Sequence, residues 1–374
     1  MITRVEIENF KAFTELALDI CPLTLFTGKN GMGKSSFIQS LLILRQSYLM
    51  DPSLSELTLN GSLVNIGYGK DLLNIYGNGP IRFEIEFDRE SLIVLEFEYS
   101  ATFDKLDSVR EREPHERLKE IGKISSNSLF TNNFQYLNAQ RIAPRRTFDA
   151  SPHAVEVLKT LGNEGQYTVH FLDKYKFKSI PNVGLQHASA KSNNLLDNVD
   201  AWLSEISSEV RVKPRFHPDL QISTLGFEFV DGMDTTPEFS SLNTGFGLTY
   251  VLPVIVAVLS AQKGDLLIIE NPESHLHPQG QAVLGRLLAM AANAGVQIIV
   301  ESHSDHLFNG MRVAVKQGLL DPNDFAVYFF SRDNEQHDIF VDQPLVDARG
   351  RLSYQPENFF DEYSKQLTEI IKPV

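Results

Sequence analysis

The stretch Gly28-Lys29-Asn30-Gly31-Met32-Gly33-Lys34-Ser35 meets every fixed position of the Walker A pattern. Its residue types suit one task. Glycines let the backbone turn tightly, so that its N–H groups face phosphate oxygens. A helix that starts near Lys34 adds the positive end of its dipole. Lys34 can reach the β and γ oxygens and Ser35 can bind Mg²⁺, while Asn30, Gly31, Met32, Gly33 and Ser36 complete the cradle. A second stretch, Leu266-Leu267-Ile268-Ile269-Glu270, reads as a buried strand that ends in a carboxylate. An acid at that place holds the Mg²⁺ shell opposite Ser35, which makes Ser35 and Glu270 the expected metal pair. A crowd of polar residues follows it, from Asn271 and Glu273 through His275 and His277.

Two further constellations sit nearby. Asn243-Thr244-Gly245-Phe246-Gly247 opens a helix shortly before the second stretch, and glycines at a helix start form another anion-binding end. One molecule needs only one phosphate cradle, so Thr244 and Gly245 are expected to cap a neighbour's nucleotide in a dimer. The plainer alternative is a Gly-rich helix start with no ligand. After the strand pattern Gln297-Ile298-Ile299-Val300 comes Glu301-Ser302-His303-Ser304-Asp305-His306, which puts His303 in reach of a γ-phosphate. A metal site built from His275, His277, His303 and His306 is a competing idea, but the i, i+2 spacing of the first pair suits no helix face. Ser-His-Asp chemistry lacks a nucleophile elbow.

The elements that must position these groups follow from periodicity. Residues 2–20 alternate as two short strands, and Leu23–Thr27 reads as a more buried third. Ser36–Met50 reads as a helix with Leu41, Leu42, Leu44, Tyr48 and Leu49 on its stripe. Ile81–Phe87 and Leu92–Phe97 form an antiparallel meander, and the charged segment Asp107–Lys123 reads as an exposed excursion. Helical patterns run from Ala154 to Trp202, most clearly over Leu195–Ile206; strands return at Val210–Val212 and Leu225–Phe229. Then come a helix at Phe246–Ala261, strands at Leu266–Ile269, Val296–Val300 and Phe325–Phe330, and helices at Gly280–Ala294, from about Asp305, and near Phe359–Ile371. The two halves of the phosphate site come from opposite ends of the chain. The predicted fold is therefore α/β: a P-loop parallel sheet with an antiparallel β subdomain, interrupted by an inserted mixed helical lobe. The corresponding division is 1–105 for the first half of the core, 106–235 for the inserted lobe, 236–340 for the second half and 341–374 for an extension.

Composition narrows the classes. The chain has 374 residues, 34 basic and 48 acidic, a net charge of −14, and 42 % hydrophobic residues. That is ample for a large core and excludes wholesale disorder. An acidic chain does not coat DNA non-specifically, which needs clustered Lys and Arg. The single cysteine, Cys21, excludes a disulfide framework and a cysteine-built zinc site. The longest apolar run, Val251–Leu259, is half of a membrane span and contains Pro253, and the N-terminus has no secretory signal. The expected setting is cytoplasmic, with no membrane.

These signals, in this order, resemble the ABC-type P-loop ATPases of the SMC/RecF/OLD class, the overcoming-lysogenization-defect branch most of all. The opening Ile2–Lys11 looks like their first strand, Ile269–Pro278 like the Walker B and D-loop of that branch, and Ser302-His303-Ser304 like its switch histidine. Asp347–Glu362 resembles the C-terminal extension of a subgroup of bacterial ATPases. The resemblance implies an ABC-ATPase head that binds ATP and Mg²⁺ and pairs head to head around two ATP molecules. It gives Lys34 and Ser35 the phosphate and metal, Glu270 the Walker B acid, Thr244 and Gly245 the trans signature, and His303 the γ-phosphate sensor. Two departures bear on rate. The signature lacks a Ser-Gly-Gly-Gln core, and the position after Glu270, where the family carries its water-polarising glutamate, is Asn271. A neutral amide orients water without taking its proton, which leaves Glu273 and Glu301 as the available carboxylates and predicts slow hydrolysis. Gln140, in Asn138-Ala139-Gln140-Arg141, is the candidate for a glutamine that reaches the metal.

No long coiled coil and no spaced acidic cluster of the Toprim nuclease kind follow. The expectation is an ATP-hydrolysing switch that dimerises around ATP and regulates a separate effector or nucleic-acid partner, in bacterial DNA maintenance or antiphage defence. A different reading is an ATP-locked scaffold that holds a partner and does not turn over. Direct DNA contact would rest on Arg141, Arg145 and Arg146.

Overall fold

The computed structural model describes residues 1–109, 122, 125–207, 209–232, 234–332 and 339–372. Most of the charged segment Asp107–Lys123 lies outside them. The chain opens with β1 (Ile2–Phe10), β2 (Phe13–Asp19) and β3 (Leu23–Gly28), then α1 (Lys34–Met50) and β4 (Glu56–Thr58). β5 (Ile81–Phe87), β6 (Ser91–Phe97), β7 (Lys105–Asp107), β8 (Phe134–Leu137) and β9 (Phe148–Asp149) follow. Helices α2 (Thr168–Tyr175) and α3 (Leu195–Ile206) precede β10 (Val210–His217), β11 (Ile222–Asp231), β12 (Asp234–Thr235) and β13 (Phe239–Ser240). The last third runs α4 (Phe246–Ser260), β14 (Leu266–Glu270), α5 (Pro278–Asn293), β15 (Gln297–Glu301), α6 (Asp305–Lys316), β16 (Phe325–Arg332), β17 (Ile339–Asp342) and α7 (Glu362–Ile371).

A six-stranded sheet with the order β17-β16-β3-β15-β14-β8 is the centre of the molecule. Its pairings are parallel apart from β16 with β17. Both of its faces are covered, which is why these strands read as continuous apolar runs. Leu266 and Ile268 enter one buried cluster, with α1 and the antiparallel sheet β2-β1-β5-β6. Their neighbours Leu267 and Ile269 enter the other, with α2 to α6. Residues 148–240 contribute a further five-stranded sheet, in which β9, β10, β12 and β13 all pair with β11.

Helix α1 shows how packing fixes the loop before it. Phe37, Ile38, Leu41, Leu42 and Leu44 are fully buried, each contributing about 1.5–3 kcal/mol relative to exposure. Arg45 of the same helix is buried too. It donates to the carbonyls of Leu129 (2.6 Å) and Thr131 (2.8 Å) and lies 4.0 Å over the Phe134 ring, which ties α1 to the start of β8.

Periodicity does not reveal β8. Four residues are too few to separate a strand from other short apolar runs, yet this strand is the edge of the central sheet, inside the stretch 106–235. The tail also differs from expectation. The last helix begins at Glu362, because Phe359 is not helical but 1 % exposed, packed against Phe308, Phe329 and Phe360 at ring distances of 5.5, 5.3 and 4.8 Å.

Candidate functional site: a phosphate loop facing three carboxylates

The C-terminal ends of β3, β15, β14 and β8 bring the sequence-predicted groups to one edge of the sheet. Gly28 leaves β3 at φ 133°, Gly31 and Gly33 follow at 77° and 95°, and α1 then begins. Gly33 caps α1 without a side-chain bond, and no acid sits in the first turn, so the helix's positive end is unopposed. A Cβ on Gly33 would meet the Phe13 ring at 2.9 Å, whereas one on Gly31 would meet nothing within 4 Å among the described residues. Asn30, Gly31 and Ser35 are exposed, Met32 and Ser36 half-buried, and Lys34 is buried. The Lys34 ammonium donates to the carbonyls of Gly28 (2.9 Å) and Lys29 (2.8 Å), and burial lowers its pKa despite nearby Glu301.

Three glutamates line the floor. Glu301, at the end of β15, accepts from the Ser35 hydroxyl at 3.2 and 3.0 Å and stands 3.9 Å from Lys34 Nζ. Glu270 is its register partner on β14. Its carboxylate accepts from the Tyr136 hydroxyl (2.8 Å) and the Ala139 N–H (3.3 Å), both from β8 and the loop after it. Glu273 accepts from the His303 N–H at 3.2 Å, while its other oxygen is buried with no partner among the described residues. All three carboxyls are held above the ordinary carboxylate range. Burial is the main cause in each, and for Glu301 the charge on Glu270 comes next.

Asn271 sits at φ 44°, donates its N–H to the Glu301 carbonyl at 2.7 Å, and leaves its side-chain carbonyl buried without a partner among the described residues. His303 is exposed beside the loop. Burial lowers its pKa, as does the charge of Lys34, while a hydrogen bond to the Gly28 carbonyl opposes both. The imidazole is therefore neutral near pH 7. Gln140 lies in the loop after β8, beyond Asn138 and Ala139, exposed, with its N–H on the Asn138 side chain at 3.0 Å.

Thr244 and Gly245 stand apart from this cluster. The Thr244 hydroxyl donates to the Ser241 carbonyl at 3.1 Å, and among the described residues neither residue bonds to the phosphate loop. Gly245 is exposed and caps α4 with no side-chain bond. The start of α4 is fixed against the loop after β14: a Cβ on Gly247 would meet the His275 carbonyl at 2.6 Å, and the Phe246 and Tyr250 rings lie 4.5 and 5.0 Å from the His275 ring.

The structure also places the residues of two alternatives weighed in the sequence, the histidine metal site and the arginine segment. Among the described residues no group of three or more His, Cys, Asp or Glu side chains could by itself hold a metal ion. His275 is committed to the aromatic contact, and His277 caps α5. Arg141 is not a DNA-facing residue either. It is 3 % exposed, lies 4.4 Å over the Tyr250 ring, and donates to the carbonyls of Tyr250, Asn138, Glu270 and Asn271. Burial lowers its pKa to about 10, which still leaves it charged. Arg145 is paired with Asp149 at 3.8 Å.

Sequence reasoning missed Tyr136 as the partner of Glu270, Arg141 as the clamp behind the Walker B turn, and the Ser35–Glu301 contact. The short run Phe134–Leu137 just before an Asn turn was the only available signal for the first.

The uncapped helix end, the open space at Gly31, an exposed hydroxyl and carboxylates opposite it fit a magnesium–triphosphate. This fold and site define a P-loop ATPase of the ABC type. The chain belongs to the family described as "AAA domain, putative AbiEii toxin, Type IV TA system", whose model matches residues 23–309. Residues 320–370 match a second family, described as a protein of unknown function (DUF3696). An OLD nuclease from Thermus scotoductus is 21 % identical over 90 % of this chain, and the chain spans 65 % of that relative's length. Among solved structures, an SMC head bound to the C-winged helix domain of ScpA superposes with a TM-score of 0.55 at 13 % identity, covering 92 % of this chain and 98 % of that one. An SMC head with an extended coiled coil, bound to the C-terminal domain of ScpA derived from Pyrococcus furiosus, gives 0.49 at 13 % identity, covering 99 % of each chain. No helix among the described residues is long and apolar enough to cross a membrane.

Proposed function

We propose that this ATPase is a switch: it closes as a dimer around ATP and magnesium, hydrolyses slowly, and passes its state to a separate effector protein. The observation that carries the reading is the pairing of Glu273 with His303 beside the phosphate loop. One Glu273 oxygen is held by the His303 N–H and the other is buried and uncommitted among the described residues. That oxygen is the base that takes a proton from the attacking water. Asn271, in the position after Glu270, orients water but accepts no proton, which keeps turnover slow. Neutral His303 contacts the γ-phosphate, and Lys34 leaves the Gly28 and Lys29 carbonyls for the phosphate oxygens. Ser35 and the Walker B acid Glu270 would hold magnesium, which would neutralise charge on the phosphates. Gln140, in the loop after β8, is the candidate to reach the metal from that side.

The start of α4, with Gly245 exposed, Thr244 half-buried and no side-chain cap, supports trans capping of a partner's nucleotide. On this reading residues 1–105 and 236–340 form the ATPase core, the 106–235 lobe lends it β8 as an edge strand, and 341–374 is an extension. The likeness to an OLD nuclease supports a role in DNA maintenance or antiphage defence inside the cytoplasm. DNA contact through the Arg141 segment would rest on Arg145 and Arg146 alone, and a salt-dependent mobility shift lost in the double alanine variant would support it.

Light scattering and single-turnover hydrolysis with wild type and Glu273→Gln test the switch. The expected result is an ATP-dependent dimer in both and cleavage only in wild type. Asn271 keeps a second reading in view, an ATP-locked scaffold; no cleavage by either protein, with a stable dimer, would favour it.

A further inference from the structure

We propose that the cavity where β8, β14, α2 and α4 meet is a second ligand site. Its walls and charge suit a nucleoside monophosphate, and its position lets the bound ligand act on the phosphate edge. The cavity measures about 270 Å³, at the small end of the range for small-molecule sites. Its floor is apolar: Leu267 of β14, Ala257 of α4 and Phe171 of α2 are all buried. Tyr175 stands beside Phe171, with ring centroids 4.7 Å apart, and a flat base would lie against that aromatic wall.

The rim is polar. The side-chain amides of Asn132 and Asn133 offer both donors and acceptors to a base edge. Lys159 and Lys178 complete it, and among the described residues neither has an ion-pair partner, whereas neighbouring Lys174 and Lys176 are paired with Glu156 and Asp173 at 2.9 Å. Two unpaired ammoniums match the nearly two negative charges of a phosphomonoester better than the single charge of a carboxylate. Asp265 also lines the cavity. One of its oxygens accepts from the Gln262 N–H at 2.8 Å, and the other can accept from a ribose hydroxyl.

The backbone beside the rim is unusual twice over. His153–Val157 form a π-helical turn, in which the Leu158 N–H donates to the His153 carbonyl at 3.0 Å, and such turns gather at functional sites. Lys159 then sits at φ 54°, a left-handed conformation that only a few per cent of non-glycine residues adopt. Each irregularity sets a residue on the cavity, Val157 and Lys159.

Position gives the site its role. The cavity lies at the opening ends of β8 and β14 and at the closing end of α4. Leu267 and Glu270 share β14, three residues or about 10 Å apart. Helix α4 runs about 22 Å from Ser260 back to Phe246, next to Thr244 and Gly245. A ligand wedged between these elements bears on both nucleotide segments. That coupling rests on the reading of the phosphate edge as an ATP site, whereas the binding does not.

Calorimetric titration of AMP, GMP, CMP and UMP into the full chain, without magnesium, tests the binding. At least one should bind, and the double variant Lys159→Gln/Lys178→Gln should weaken it on the order of tenfold or more. Both lysines are exposed, so the fold should survive, and the melting temperature checks it. Tyr175→Leu should weaken the same binding severalfold. No binding by any of the four, or full affinity in either variant, would overturn the site. The monophosphate that binds should also change the magnesium–ATP affinity of wild type about fivefold or more, and not that of the double variant. A wild type that binds both ligands without this change, or a change that persists in the double variant, would overturn the coupling. A wild type that binds the monophosphate but not ATP would instead remove the reading of the phosphate edge.

Discussion

The Arg141 guanidinium lies 4.4 Å over the Tyr250 ring and donates to the Glu270 carbonyl at 2.5 Å. One buried cation thus joins the end of β14 to helix α4. The loop after β8 enters the same knot through Asn138 and through the Tyr250 hydroxyl, which donates to the Ala139 carbonyl. The ends of β14 and α4 and the loop after β8 are therefore mechanically linked through one buried side chain.

Arg141→Met should destabilise the fold by about 3 kcal/mol or more, because four carbonyls lose a charged donor while buried. Arg141→Lys should recover little, since an ammonium cannot reproduce the planar fork. Urea denaturation measures both, and equal stability of the lysine variant and wild type would refute the clamp.

The loop glycines should separate by mechanism. A Cβ at Gly28 would stand 2.2 Å from the Phe330 carbonyl oxygen, so Gly28→Ala should cost about 3 kcal/mol or more. Gly31 meets nothing among the described residues, so Gly31→Ala should cost only the left-handed backbone, about 1–2 kcal/mol. Melting of the two variants without nucleotide gives the order directly.

Asp200 on α3 accepts from the Val212 N–H at 2.8 Å, and burial beside Asp197 pushes its carboxyl up to about 7. Its folded value lies above its unfolded one, so its contribution is full below about pH 4 and is lost as pH rises through about 7. The slope is at most about 1.4 kcal/mol per pH unit. Asp200→Asn should remove that decline and be the more stable protein at pH 8, by denaturant titration at pH 5.5 and 8. A variant less stable than wild type at pH 8 would contradict this.

Phe359→Ala should cost about 3–4 kcal/mol, as expected for removing a large ring from a packed cluster. Limited proteolysis should then cut before α7 at protease levels that leave wild type intact. An unchanged digestion pattern would mean that the extension is held by something other than Phe359.

Most of the site's inventory was legible in the sequence. Gly28 to Ser35 announce themselves because their chemistry is local: a turn, a helix start and two side chains within eight residues. The strands carrying Glu270 and Glu301 were legible for a similar reason, since burial on both faces writes an apolar run. What only the tertiary structure decided is which acid meets which partner. Glu270 and Glu301 are separated by a helix and a turn in the sequence, yet they are register neighbours in the sheet, and only strand order sets Glu301 beside Ser35. The same holds for β8, too short to show a period, and for Arg141, whose charge suggested a surface until packing enclosed it. Local pattern fixes which elements form; the order in which they pair, and so the distances between charges, is a property of the whole chain's packing.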